Sequence, residues 1–207
     1  MKKVTEDYKL NKSQFITTIS LLIVVSGIFG WLYEVLFYYM NSGFKTIYMR
    51  GGNFLPFINI YVYGSFLILF LTYRYKNKPL LVFLISMIST GILEYFSGYI
   101  LYGILRNTKC WDYNVEILNF GNIDGYVCLR SVLVFGLCGL LLIYVLLPMI
   151  VKIVKKFDSK TFMIISIIIC SIFIIDELYN LIIVGLFNTP KASSIYKSLG
   201  LKYIYFK

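Results

Sequence analysis

Apolar residues in this chain run in long unbroken stretches, not at the alternating or three-to-four spacing of a half-buried element. Five runs stand out, at about 14–40, 54–74, 80–105, 128–151 and 161–187. At about 1.5 Å per residue each is long enough to cross about 30 Å of hydrocarbon. The pattern predicts an all-α, polytopic transmembrane helix bundle of about five spans. The second run is the least uniform, with Pro56, Asn59 and Gly64 near its start. Such residues are tolerated at membrane depth when neighbours satisfy the backbone. Residues 1–13 read as an N-terminal segment, 14–187 as one membrane domain, and 188–207 as a basic, aromatic tail suited to an interface. No internal repeat is evident. The longest connection, RNTKCWDYNVEILNFGNIDGYV at 106–127, is long for a bundle, and such loops are often functional. The first run begins late, is long and lacks an A-x-A site, so it reads as a retained span rather than a cleaved signal.

Composition agrees: 59% of residues are hydrophobic and 14% charged, against about half and about a quarter in a soluble domain. The net charge of +10 comes from lysines flanking the runs, which points to topology control and anionic lipid head groups rather than nucleic acid. The N-terminus, the 75–79 turn with Arg74 just before it, and the 152–160 loop share a side and hold eleven Lys and Arg residues. The opposite loops hold Lys45, Arg50, Arg106 and Lys109. This asymmetry predicts a cytoplasmic N-terminus and an external C-terminus, although the basic tail pulls the other way. The abundance of Ile, Lys, Asn and Tyr fits an AT-rich bacterial genome, and the apolar runs a multi-pass membrane protein. With no histidine and no CxxC, zinc and haem sites are not expected. Cys138 and Cys170 lie inside apolar runs, and a disulfide between Cys110 and Cys128, which share a side, is open to the chain but not expected. There is no P-loop and no GxSxG, so no catalytic residues, metal or cofactor are assigned and the chain reads as a non-enzyme.

The chemistry-bearing residues are acids inside the runs. Glu94 lies fourteen residues from one end of its run and eleven from the other. That is about 16 Å or more from either exit, too far for a short carboxylate to snorkel. Asp176 and Glu177 occupy the same relative position in the fifth run. Glu34, in GWLYEV, lies at the outer interface or about 9 Å inside it, depending on where hydrocarbon begins. Arg130, at a similar outer depth, is its expected basic partner. Four acids against one arginine are not sustainable if all are ionised, at about 2.5–3.5 kcal/mol or more for each unpaired central charge. Either protonated acids bond across helices, or the acids line a polar cavity; three acid-bearing helices favour the cavity. In the external loop, Trp111 and Tyr113 fit interfacial anchors or an outer lid in which Asp112 pairs with Arg50 or Arg130.

The order of motifs is informative. GWLYEV is followed by RGG at 50–52, LP and IYVYGS around 55–65, ILEYFSGYIL around Glu94, WDY at 111–113, NIDG at 122–125 and CLRSVLVFGLCG at 128–139. Together, over about 27–145, they resemble the family of type IV ABC-transporter permeases of the CmpB-like kind. The matching positions are Glu34, Arg50, Glu94, Trp111, Asp112, Tyr113 and Gly125. One departure is that Tyr126 stands where the family has Arg, with Arg130 about one turn later.

The resemblance implies a bacterial integral membrane protein with a transport role. The expected function is a permease-like subunit with a polar outer cavity lined by Glu34, Glu94, Arg130, Asp176 and Glu177. It would be energised by a separate ATPase subunit or an ion gradient, and its substrate is open. The alternative is a non-transporting sensor or accessory subunit of an envelope complex, whose acids face a partner helix. A lipid-modifying carboxylate enzyme ranks last, for want of a motif.

Overall fold

Four of the five runs fold as helices long and apolar enough to cross a membrane. A computed structural model describes residues 2–104, 111–183, 187, 189–190, 192–200 and 205–206 of the chain. The helices are α1 (Lys2–Tyr8), α2 (Lys12–Asn41), α3 (Asn59–Thr72), α4 (Pro79–Gly98), α5 (Leu129–Leu141), α6 (Leu147–Lys156), α7 (Lys160–Leu178) and α8 (Ala192–Ser198), with two short strands, β1 (Tyr48–Met49) and β2 (Tyr205–Phe206). Ser159 caps α7 by accepting the Phe162 N–H, and Pro79 opens α4, where its missing N–H costs nothing.

Three helices carry π-helical turns: Tyr99–Ile104 extends α4, Leu142–Leu146 joins α5 to α6, and Tyr179–Ile183 extends α7. The second lies just before Pro148, whose ring cannot accept a regular turn beneath it.

The second run departs from expectation. It is helical only from Asn59, and α3 has 14 residues, about 21 Å, short of a full hydrocarbon crossing. Residues 50–58 ahead of it are irregular, with bends over 51–56. Pro56 cannot donate a helical hydrogen bond there.

The helix faces are inverted relative to a soluble protein. On α7, Ile164, Ile165, Ile168, Ile172 and Ile175 are exposed, while Ser166, Cys170 and Asp176 are buried. On α4 the buried stripe is Val82, Ser86, Thr90, Glu94 and Gly98, every fourth residue. Apolar surface outside and small or polar groups inside suit hydrocarbon as the surrounding solvent.

The chain forms two compact units: Met1–Asn11 with Tyr63–Lys156, and Lys12–Val62 with Phe157–Lys207. In the first unit α4 and α5 run antiparallel in close contact. Gly98 faces Tyr126, Gly91 faces Val132, Ser86 faces Gly139 and Phe83 faces Gly136. A Cβ on Gly91 would stand 2.7 Å from Val132 Cγ1, so these glycines set the helix approach. α6 buries Leu147, Ile150, Val151 and Val154 and exposes Lys152, Lys155 and Lys156. Asp7 of α1 takes a hydrogen bond from Lys76 Nζ at 2.7 Å.

In the second unit α2 and α7 run parallel. Gln14 donates to Asp158 at 2.9 Å near their beginnings, and Asn53, just past α2, meets Glu177 near the end of α7. Two described points after α7 lie at that latter end: Tyr196 donates to the Phe54 carbonyl at 2.8 Å, and β2 pairs in parallel with β1. The start of α2 and the tail therefore lie at opposite ends of this unit. Cys128 is a buried free thiol; Cys110, Arg106 and Lys109 lie outside the described residues.

Candidate functional site

Each unit carries an acid centre where an irregular segment is seated on helix acids. In the first unit the segment is the 111–127 loop. Its shape is set by local side-chain bonds. Asp112 Oδ1 accepts the Asn114 N–H at 3.1 Å and the Asn114 amide at 2.9 Å. Asn122 donates to Asn114 Oδ1 at 2.7 Å and accepts the Gly125 N–H at 2.9 Å. Gly125 has φ +77°, and Asp112 and Asn114 occupy the space a Cβ would need; only glycine fits both conditions. Trp111 Nε1 donates to the Tyr126 carbonyl at 2.9 Å, with its ring edge-on to Tyr102.

This scaffold drives Tyr113 inward. Its hydroxyl donates to Glu94 Oε1 at 2.5 Å. Glu94 Oε2 lies 2.7 Å from Ser131 Oγ, at the start of α5. Glu94, Tyr113 and Ser131 are all buried. Burial first, and then the neighbouring Glu94, holds the Tyr113 hydroxyl well above the ordinary tyrosine range, so it stays a neutral donor. Arg130 bonds Glu116 at 2.9 Å, with side chains only 10% and 7% exposed, and its guanidinium lies 5.3 Å from the Tyr113 ring centre, within cation–π range.

In the second unit the segment is 50–59. Asp176 Oδ1 accepts the Phe54 N–H at 3.0 Å and the Asn180 amide at 2.9 Å, and Oδ2 accepts the Leu55 N–H at 2.7 Å. Glu177 takes the side-chain amides of Asn53 and Asn59, each at 2.5 Å. Asn53 also donates to the Phe57 carbonyl at 3.2 Å. The carboxylates thus supply acceptors that the missing helix turn does not, which is the condition for irregular backbone at membrane depth. Nearby, Arg50 Nε donates to Glu34 at 2.8 Å, and the guanidinium stacks 4.0 Å above the Tyr38 ring. Gly27 and Gly30 let Phe57 and Tyr61 rest directly on α2.

A family model described as Putative ABC-transporter type IV matches residues 21–181, most of the chain. The chain belongs to this family. Comparison with curated proteins and with solved structures returned no match. The family and the apolar helices make it a membrane protein of ABC-transporter type.

Within this type IV family chain, the residues singled out from sequence fall into both centres. Glu94, Arg130, Trp111, Asp112 and Tyr113 are in the first unit; Glu34, Arg50, Asp176 and Glu177 are in the second. The expected pairings differ. Arg50 takes the place at Glu34 that was assigned to Arg130, and Arg130 meets Glu116. Asp112 shapes its own loop through Asn114, and Tyr113 is the loop residue that reaches an intramembrane acid. Sequence reasoning passed over Glu116, Ser131, Asn53 and Asn180, and took Asn59 only as an irregularity of the second run. The asparagines flanking Pro56 were the available signal, because an amide beside a break in an apolar helix needs a polar partner.

Proposed function

We propose that the chain is a permease-like subunit of a bacterial plasma-membrane transport system, with its N-terminus cytoplasmic and its energy drawn from a separate ATPase subunit. The observation that carries this is the family match over residues 21–181. Geometry supports it: in each unit, a polar segment at one end is seated on acids within a membrane helix. In this reading each segment closes its own unit's acids off from outside, and solute access to that unit follows its release. The basic end of α6 and the lysines beside α1 then face the cytoplasm, where an ATPase docks. The alternative, an accessory subunit whose acids face a partner helix, is weakened because Glu34, Glu94, Asp176 and Glu177 all have partners in their own chain. The test is purification of the full-length tagged chain from native membranes in mild detergent. Stoichiometric recovery of an ATP-hydrolysing subunit is the expected result. Recovery of the chain with no nucleotide-binding protein, in a detergent that preserves other membrane complexes, overturns the proposal.

A further inference from the structure

A basic, aromatic tail after a last span suits a membrane interface, yet this one is tied into the second acid centre. Three hydrogen bonds hold it there, all within the second unit. Tyr179 donates its hydroxyl to the Pro190 carbonyl at 3.2 Å. The Ala192 N–H, at the start of α8, donates to Asn180 Oδ1 at 3.3 Å. Tyr196, about one helical turn later, donates to the Phe54 carbonyl at 2.8 Å. Ala192 is 0% exposed, so the start of α8 is packed against protein. Ser194, Lys197, Ser198 and Leu199 form its exposed face.

Two of these bonds lead to one carboxylate. Asn180 turns its NH2 to Asp176 Oδ1 at 2.9 Å and its oxygen to the Ala192 N–H. A backbone N–H cannot accept, so that orientation of the amide is fixed. Phe54 is held at both ends of its backbone: its N–H donates to Asp176 Oδ1 at 3.0 Å, and its carbonyl accepts from Tyr196. Its ring meets those of Tyr179 and Tyr196, with centres 5.7 and 5.8 Å away. Phe54 therefore cannot leave Asp176 without also losing Tyr196. The converse does not hold. α8 can lift off Phe54 while Asp176 keeps the N–H groups of residues 54 and 55.

We propose that α8 is a strap across the seated segment of the second unit, and that it must lift before residues 53–55 leave Asp176. Ala192 and Tyr196 are one turn apart on a short helix, so the strap moves as a unit. The C-terminal segment thus sets when the acids of this unit are uncovered. To that extent it rests on the reading of segment 50–59 as a closure. The order of opening rests on the contacts alone.

Hydrogen exchange of the full-length protein in phosphatidylcholine–phosphatidylglycerol nanodiscs, resolved at the Ala192, Phe54 and Leu55 amides, reads both partners. In the native chain, protection at Ala192 should be no greater than at Phe54 and Leu55, because every opening of the segment includes an opening of the strap. Tyr196→Phe keeps the ring beside Phe54 and removes the hydroxyl that holds its carbonyl, without touching either N–H. Exchange at Phe54 and Leu55 should nevertheless rise about 2- to 10-fold, the worth of one hydrogen bond. Ser198→Ala, which loses a bond to the Ile195 carbonyl within α8, should leave both unchanged. Greater protection at Ala192 than at Phe54 and Leu55 in the native chain overturns the proposal. So does unchanged exchange at both in Tyr196→Phe, or an equal rise in Ser198→Ala. If Tyr196→Phe fails to fold, the native comparison still decides. No ATPase takes part in this measurement, so its failure and the failure of the copurification are separate results.

Discussion

Replacing Asp176 by asparagine and Glu177 by glutamine should have unequal effects, although the residues adjoin and both changes remove a carboxylate. Asp176 holds two backbone N–H groups, Phe54 on Oδ1 and Leu55 on Oδ2. Backbone donors cannot reverse their polarity. An asparagine presents one oxygen and one NH2, so one of the two N–H groups faces another donor and loses its partner. Rotating the amide merely moves the defect, and reversing Asn180 would break its bond from the Ala192 N–H. An orphaned buried donor costs about 1–3 kcal/mol, which raises the opening of segment 53–55 by about 5- to 150-fold. Glu177 instead faces two side-chain amides. Asn53 is held by its second bond to the Phe57 carbonyl, but the Asn59 amide can turn over and accept from a glutamine. The cost there should stay below about 1 kcal/mol. Hydrogen exchange of the Phe54 and Leu55 amides in nanodiscs measures both. Equal protection in the two variants, or unchanged protection in Asp176→Asn, would refute the reasoning.

Three further outcomes follow from the same packing. Gly139→Ala should destabilise the α4–α5 pair by about 1–3 kcal/mol through overpacking against Ser86, whereas Gly64→Ala, whose nearest neighbour stands 3.8 Å away, should be near neutral in a detergent thermal melt. Arg50→Lys should weaken the β1 region by about 1 kcal/mol because an ammonium loses the planar stack on Tyr38 as well as the Nε–H bond to Glu34; limited proteolysis after residue 45 would register it, and an unchanged cleavage rate would count against the stack. Asp7 is held below its ordinary value of 3.8, chiefly by the hydrogen bond from Lys76. A lowered folded value means the contribution is present above the unfolded value and fades as pH falls through the folded one. α1 should therefore detach in acid, and Asp7→Asn should remove that pH dependence as read by a spin label at residue 3.

Much of the fold was legible because hydrocarbon imposes a simple rule. The uniform runs around Glu94 and Asp176 begin one residue from the starts of α4 and α7, whose α-helical parts end at Gly98 and Leu178, short of the ends of the runs. The run from 54 was overread, because Pro56 and Asn59 were taken as tolerable within a span, and the partners that stabilise an irregular segment come from residues 176 and 177, more than a hundred positions away. The acids stood out as expensive residues needing an explanation. Their partners did not, because Tyr113, Ser131 and the Phe54 and Leu55 amides are ordinary until the fold brings them to a carboxylate. Arg130 was assigned to Glu34 by depth alone, and depth did not bring in Glu116, a loop acid that is buried against Arg130.

The central claim is that the irregular segments 50–59 and 111–127 are each seated on acids of apolar helices, and the Tyr113–Glu94 contact is its plainest instance. A double-mutant cycle with Tyr113→Phe, Glu94→Ala and the pair, read by hydrogen exchange across residues 111–127, measures that contact while the Phe ring keeps its place beside Arg130. A coupling of about 1–3 kcal/mol is predicted for a buried hydrogen bond to a carboxyl group. Additive effects of the two substitutions, within about 0.3 kcal/mol, would contradict the account.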